Sequence, residues 1–176
     1  MRPEEQLAAD LLTKACDGRV EPRDCPGAPS GSYDFDWILP GERKVAVEVT
    51  TVTAPELKEY LHALQRKKQA KKPKPRATMG QPWIILRELV EREAKKEDNL
   101  KKLKGANCHE RHLFIYLDPL REESVIPEIA GVAPNELVAP KLPQGIDKVW
   151  IGSRWRENGE EEYLWCCDEE GWKRVL

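Results

Sequence analysis

The chain has 176 residues, enough for a single core of ordinary domain size, and nothing in the length asks for a second. Hydrophobic residues make up 40% and charged residues 34%, with a net charge of -2 from 29 basic and 31 acidic side chains, which excludes a disordered polyelectrolyte and predicts a folded domain with a heavily charged surface. The five cysteines form no CxxC pair, which excludes a disulfide scaffold, and no apolar run approaches the roughly 20 residues of a membrane span. The N-terminus, MRPEEQLAADLL, is acidic and amphipathic rather than basic then apolar, so it does not read as a secretory signal. The expectation is a cytoplasmic protein with reduced thiols and no membrane partner.

Residues 3–16 place Leu7, Ala8, Leu11 and Leu12 at helical spacing behind Pro3 and the first-turn acids Glu4 and Glu5, which predicts an amphipathic helix. Residues 17–32 are punctuated by glycine and proline and read as loop around a brief edge strand, RVEPRD. Tyr33–Leu39 and Lys44–Val52 alternate and are rich in aromatic and β-branched residues, and PGER between them makes a hairpin. Thr53, Pro55 and Glu56 look like the start of a helix running through LKEYLHALQRKKQ. The prolines and lysines of KKPKPRATMGQP predict a loop. Trp83, Ile84, Leu86, Leu89 and Val90 then open a helix that continues as a charged stretch to Gly105. HLFIYL at 112–117 reads as a strand buried on both faces. Residues 118–147 are proline-rich, with at most a short helix around 122–130, and strands are expected at 149–151 and 163–166 around an ENGE turn. The order predicts an α/β or α+β fold with one mixed sheet flanked by helices.

Alternation puts Asp34, Asp36 and Ile38 on one face of the first hairpin strand and Ala46, Glu48 and Thr50 on one face of the second. If those faces coincide, Glu48 comes within reach of one or both aspartates. Carboxylates held together repel one another unless a cation shares the site, and an all-oxygen cluster suits magnesium or manganese. Such an ion lowers the pKa of a bound water and neutralises charge on a phosphoryl group, which makes phosphodiester hydrolysis the natural reaction class.

An aspartate, a short turn, then Glu48-Val49-Thr50 at the end of a β-branched strand resembles the PD-(D/E)xK pattern of the restriction-endonuclease-like superfamily. The resemblance spans roughly residues 1–118, with its motif confined to 33–52, and leaves 119–176 as a Trp-rich strand extension of the same domain. It implies a metal-dependent nuclease holding magnesium or manganese. Asp34 takes the place of the motif aspartate, with Asp36 as the alternative, and Glu48 takes the second acid position. Glu5 on the first helix corresponds to an additional acidic ligand in some members. Tyr33 stands where the family has proline and Thr50 where it has lysine. A lysine's ammonium orients the attacking water and offsets negative charge, whereas a threonine hydroxyl only hydrogen-bonds; the resemblance then implies that Asp36 assists and that Thr50, with or without a lysine from the next helix, where Lys58 is the nearest candidate, orients the water.

The acid-free segment 66–76 offers Arg66, Lys67, Lys68, Lys71, Lys72, Lys74 and Arg76 to a phosphate backbone, whose binding releases counterions. The expected partner is nucleic acid, DNA ahead of RNA, and double-strand cleavage would ordinarily need two active sites and hence a homodimer. Without a replacement lysine the domain would bind nucleic acid and cleave poorly or not at all. A third reading is a protein-interaction module using the acidic C-terminal part that carries Trp150, Trp155, Trp165 and Trp172, although core packing is the plainer role for those rings. Cys108, His109 and His112 lack two further ligands at zinc spacing and read as a helix-to-strand connection.

Overall fold

A computed structural model describes residues 1–23, 31–53, 82–118, 139–156 and 160–176 of the chain. Pro3 at the first helical position and the acids behind it begin α1, Pro3–Ala15. The strand β1 (Arg19–Pro22) precedes the hairpin of β2 (Phe35–Leu39) and β3 (Arg43–Val52), as the alternation predicts. Its connection uses left-handed backbone at Gly41 and Glu42, and the Glu42 carboxylate takes two guanidinium hydrogen bonds from Arg19, at 2.9 and 3.0 Å. Two helices follow, α2 (Pro82–Ala94) and α3 (Glu97–Lys104), then β4 (Glu110–Leu117), β5 (Lys148–Arg156), β6 (Glu160–Asp168) and β7 (Gly171–Arg174).

The described residues form an α/β fold of one seven-stranded mixed sheet and three helices, with the strands in sequence order across the sheet. The pairs β3–β4 and β4–β5 are parallel and the rest antiparallel, so the parallel strands lie in the middle. Alternation divides the core in two. Leu7, Ala8, Leu11 and Leu12 of α1 pack on Phe35, Trp37, Val45, Val47, Val49, Phe114 and Trp150 on one face. Leu86, Leu89, Val90 and Ala94 of α2, with Leu103 of α3, cover Ala46, Val52, Leu113, Ile115, Val149 and Trp165 on the other. The strands after residue 118 continue the same sheet, and Trp150, Trp165 and Trp172 are core residues rather than an exposed surface.

One helix expected as far as Gly105 is two. Lys95 and Lys96 tighten onto the carbonyls of Arg92 and Glu93 at 3.2 Å, and Lys96 turns extended (φ -60°, ψ 126°) to become the N-cap of α3. Helical spacing continues through the break, which is why the sequence pattern conceals it. The break is held from outside the helix pattern: the buried Asn99 amide donates to the Glu93 carbonyl at 3.1 Å. Strands β5 and β6 also run beyond the expected 149–151 and 163–166, because their ladder continues outward to Arg156 and Glu160. The helix expected after Thr53, Lys58, the basic segment 66–76 and the helix expected around 122–130 lie outside the described residues.

Candidate functional site

The hairpin positions the acids by leaving one backbone donor for a side chain to satisfy. Val47 points its carbonyl toward β2 and accepts the Asp34 N–H at 3.1 Å, so Val49, two residues on, points its N–H to the same side just past the end of β2. Asp34 supplies the missing acceptor: its Oδ2 takes the Val49 N–H at 2.7 Å, and its Oδ1 takes Arg2 Nη2 at 3.1 Å. Arg2 also donates through Nε to Glu5 Oε1, while the Arg2 backbone N–H bonds Glu5 Oε2 at 2.8 Å, so the first turn of α1 and the start of β2 share one guanidinium.

Glu48 leaves β3 on the face covered by α2 and α3 and is 2% exposed. Its Oε1 accepts a hydrogen bond from Lys102 Nζ of α3 at 2.7 Å, and Lys102 also lies 3.5 Å from Asp98. The second oxygen, Glu48 Oε2, is buried without a hydrogen-bond partner. Burial first, and then the nearby charge of Asp34, push the Glu48 carboxyl up to about 7 in spite of Lys102. Burial also raises Asp34, with the charge of Glu5 adding to it and the Val49 N–H and Arg2 opposing. Burial works against ionisation of Glu5 as well, but the Arg2 hydrogen bonds outweigh it and hold that carboxyl below its usual range. Lys102 is held above its ordinary value: partial burial disfavours the ammonium, and Glu48 more than compensates.

Three acids marked in the sequence, Glu5, Asp34 and Glu48, are therefore gathered by two cations that were not marked, Arg2 and Lys102. Asp36 belongs elsewhere. It lies across from Ala46 and accepts Tyr33 Oη at 2.7 Å and Arg23 Nε at 2.5 Å, with Lys44 Nζ at 3.0 Å, so its charge is answered within its own network. Thr50 also turns to another partner, donating its hydroxyl to Glu93 Oε2 at 3.4 Å. Glu93 is fully buried between Arg92 and Lys96 and thus ties β3 to both ends of the α2–α3 break. Lys58 and the segment 66–76, from Arg66 to Arg76, lie outside the described residues.

No known protein family matches the chain, and no curated protein or solved structure shows significant similarity to it. The chemistry open to the site follows from its geometry alone. Among the described residues no group of three or more His, Cys, Asp or Glu side chains converges as a metal ion requires; the carboxylates are turned to Arg2 and Lys102 instead. The orphaned Glu48 Oε2 is nevertheless a buried carboxyl oxygen without a partner, the kind of atom a hard cation satisfies. The donor set of Glu48 with Asp34 is all oxygen, which fits magnesium or manganese.

The Cys108–His112 stretch is a structural connection. His109 Nδ1 accepts the Lys44 N–H at 3.1 Å, while His112 is buried between Trp37 and Trp150. Trp150 Nε1 donates to His112 Nδ1 at 3.1 Å, so the proton of a neutral imidazole sits on Nε2 and is donated to Glu110 at 2.9 Å. Burial keeps that ring neutral.

One signal for Lys102 was present in the sequence. Asn99, Lys102, Leu103 and Ala106 recur at helical spacing, so Lys102 borders the inward stripe of a short helix whose other lysines are outward. No comparable signal marks Arg2.

Proposed function

We propose that this chain is a metal-dependent nuclease with a restriction-endonuclease-like core, in which Lys102 of α3 does the work of the lysine that Thr50 replaces. The observation that carries the reading is Glu48: a buried carboxylate beside Asp34, one oxygen on the Lys102 ammonium and the other without a partner. The element order supports it, since a helix precedes the acidic hairpin and β3 is followed by helices and a parallel strand.

Asp34 and Glu48 would hold magnesium or manganese. When bound, the ion supplies a more acidic water and neutralises charge on the phosphoryl group. Asp34 is oriented by the Val49 N–H, so its free lone pairs have a fixed direction before any ligand arrives. Lys102, whose ammonium lies 2.7 Å from Glu48 Oε1, would donate to the attacking water and offset negative charge at the phosphorus, the two tasks a threonine hydroxyl cannot perform together. Before any ion binds, Glu5 and Asp34 are held together through their shared guanidinium. The substrate class is nucleic acid, DNA ahead of RNA.

Glu48→Ala should abolish manganese-dependent cleavage of single- and double-stranded DNA and RNA, as should a chelator. Cleavage that survives the substitution refutes the assignment. The pairing of Asp34 with Arg2 and of Glu48 with Lys102 favours one second reading, a relative that binds nucleic acid without cutting it. That protein would show salt-sensitive binding, indifferent to Glu48→Ala and dependent on Lys67, Lys68, Lys71 and Lys72.

A further inference from the structure

We propose that Arg2 is a resident counter-ion of this site, which a divalent cation displaces from Asp34 when it binds. The inference rests on the metal-site reading above and adds to it the residue that sets metal affinity. Glu5 and Asp34 come from elements on either side of the β1 segment, and a single guanidinium joins them, donating to Glu5 through Nε and to Asp34 Oδ1 through Nη2. Asp34 has only two oxygens, and Oδ2 is committed to the Val49 N–H at 2.7 Å. The oxygen that Arg2 takes is therefore the one freest to serve a metal. Glu48 Oε2, buried and unpartnered within the electrostatic reach of Asp34, is a second oxygen open to the same ion.

Displacement is sterically simple for this side chain. Arg2 is about half exposed, whereas Glu5 and Glu48 are almost wholly buried, so the guanidinium swings out to water while the acids stay in place. The N-terminal turn of α1 survives the exchange, because the Arg2 backbone N–H keeps its bond to Glu5 Oε2. Lys102 answers a different demand. It is more enclosed than Arg2 and bonds the Glu48 oxygen opposite the orphan, so it stays when the metal enters.

The test is calorimetric titration of the full chain with manganese, comparing wild type, Arg2→Gln and Lys14→Gln. Lys14 is an exposed cation at the other end of α1, paired with Glu162, and serves as the control for simple loss of charge. Arg2→Gln should tighten manganese binding roughly fivefold, the scale Coulomb's law gives for the unit-charge attraction between Arg2 and Asp34 across a few ångströms in water-like surroundings, which the metal has to break in wild type. Lys14→Gln should leave it unchanged. A measurement that needs no variant follows the Arg2 Nη–H resonance that reports the Asp34 contact, in wild type titrated with magnesium at low temperature; it should move to the shift and fast solvent exchange of a free arginine. Metal binding in wild type with an unmoved Arg2 resonance overturns the displacement while leaving the metal site standing, and so does equal or weaker binding by Arg2→Gln. No binding by either protein overturns both readings.

Discussion

Replacing Glu48 with Gln should flatten the pH dependence of stability. The Glu48 carboxyl is raised from 4.5 to about 7 in the folded protein, chiefly by burial and then by Asp34. Between those values the native state keeps a proton that the unfolded chain has released, so stability falls as pH rises through the window. A tenfold difference in proton affinity is worth about 1.4 kcal/mol, so the loss amounts to about 3 kcal/mol between pH 4.5 and pH 7. Little reduction for solvent is needed, because the side chain is only 3% exposed. Glutamine keeps the shape and an acceptor for Lys102 but cannot ionise, so it escapes the loss. Urea unfolding followed by tryptophan fluorescence, at intervals from pH 4.5 to pH 8, should show the difference between Glu48→Gln and wild type growing in favour of the variant by about 3 kcal/mol. Titrating groups that do not interact with Glu48 cancel in that difference. A difference constant to within about 0.5 kcal/mol across the range, a small part of the expected loss, would refute the claim that Glu48 is ionised at a cost to the fold.

Two further substitutions test how the scaffold holds the site. A Cβ on Gly152 would lie 2.4 Å from the Phe114 ring and 2.9 Å from a Leu11 methyl, so Gly152→Ala should cost about 1–3 kcal/mol in overpacking; thermal unfolding should show a melting point several degrees lower. Asn99→Ala deletes the donor to the Glu93 carbonyl and should cost about 1 kcal/mol. Because that bond fixes the start of α3, the Glu48 carboxyl should also titrate higher as Lys102 loosens, which carbon-detected NMR of labelled glutamate would register. An unmoved Glu48 titration would show that Asn99 does not aim Lys102.

The hairpin was legible because its information is local. Alternation of Phe35, Trp37, Val45, Val47 and Val49 against Asp36, Ala46 and Glu48 requires only a period of two and a turn, and the observed register pairs Phe35 with Val47 and Asp36 with Ala46. The same reasoning identified α1 from its apolar spacing and the central strand β4 from an unbroken apolar run. It could not separate Asp34 from Asp36. Both have strand periodicity, and what distinguishes them is their donors: Val49 and Arg2 for one, Tyr33, Arg23 and Lys44 for the other.

The sequence by itself determined where the acids stand and that they lie on a hairpin, since strand period and turn chemistry are properties of neighbouring residues. Tertiary structure alone decided which cations answer them. Lys102 meets Glu48 from 54 residues away, and only because the crossover from β3 to β4 lays α3 against the sheet, after a break that Lys96 and Asn99 create. Arg2 meets Asp34 across 32 residues because α1 packs on the opposite face with its first turn at the start of β2. Pairings of that kind depend on how elements are packed, and periodicity along the chain carries no record of it.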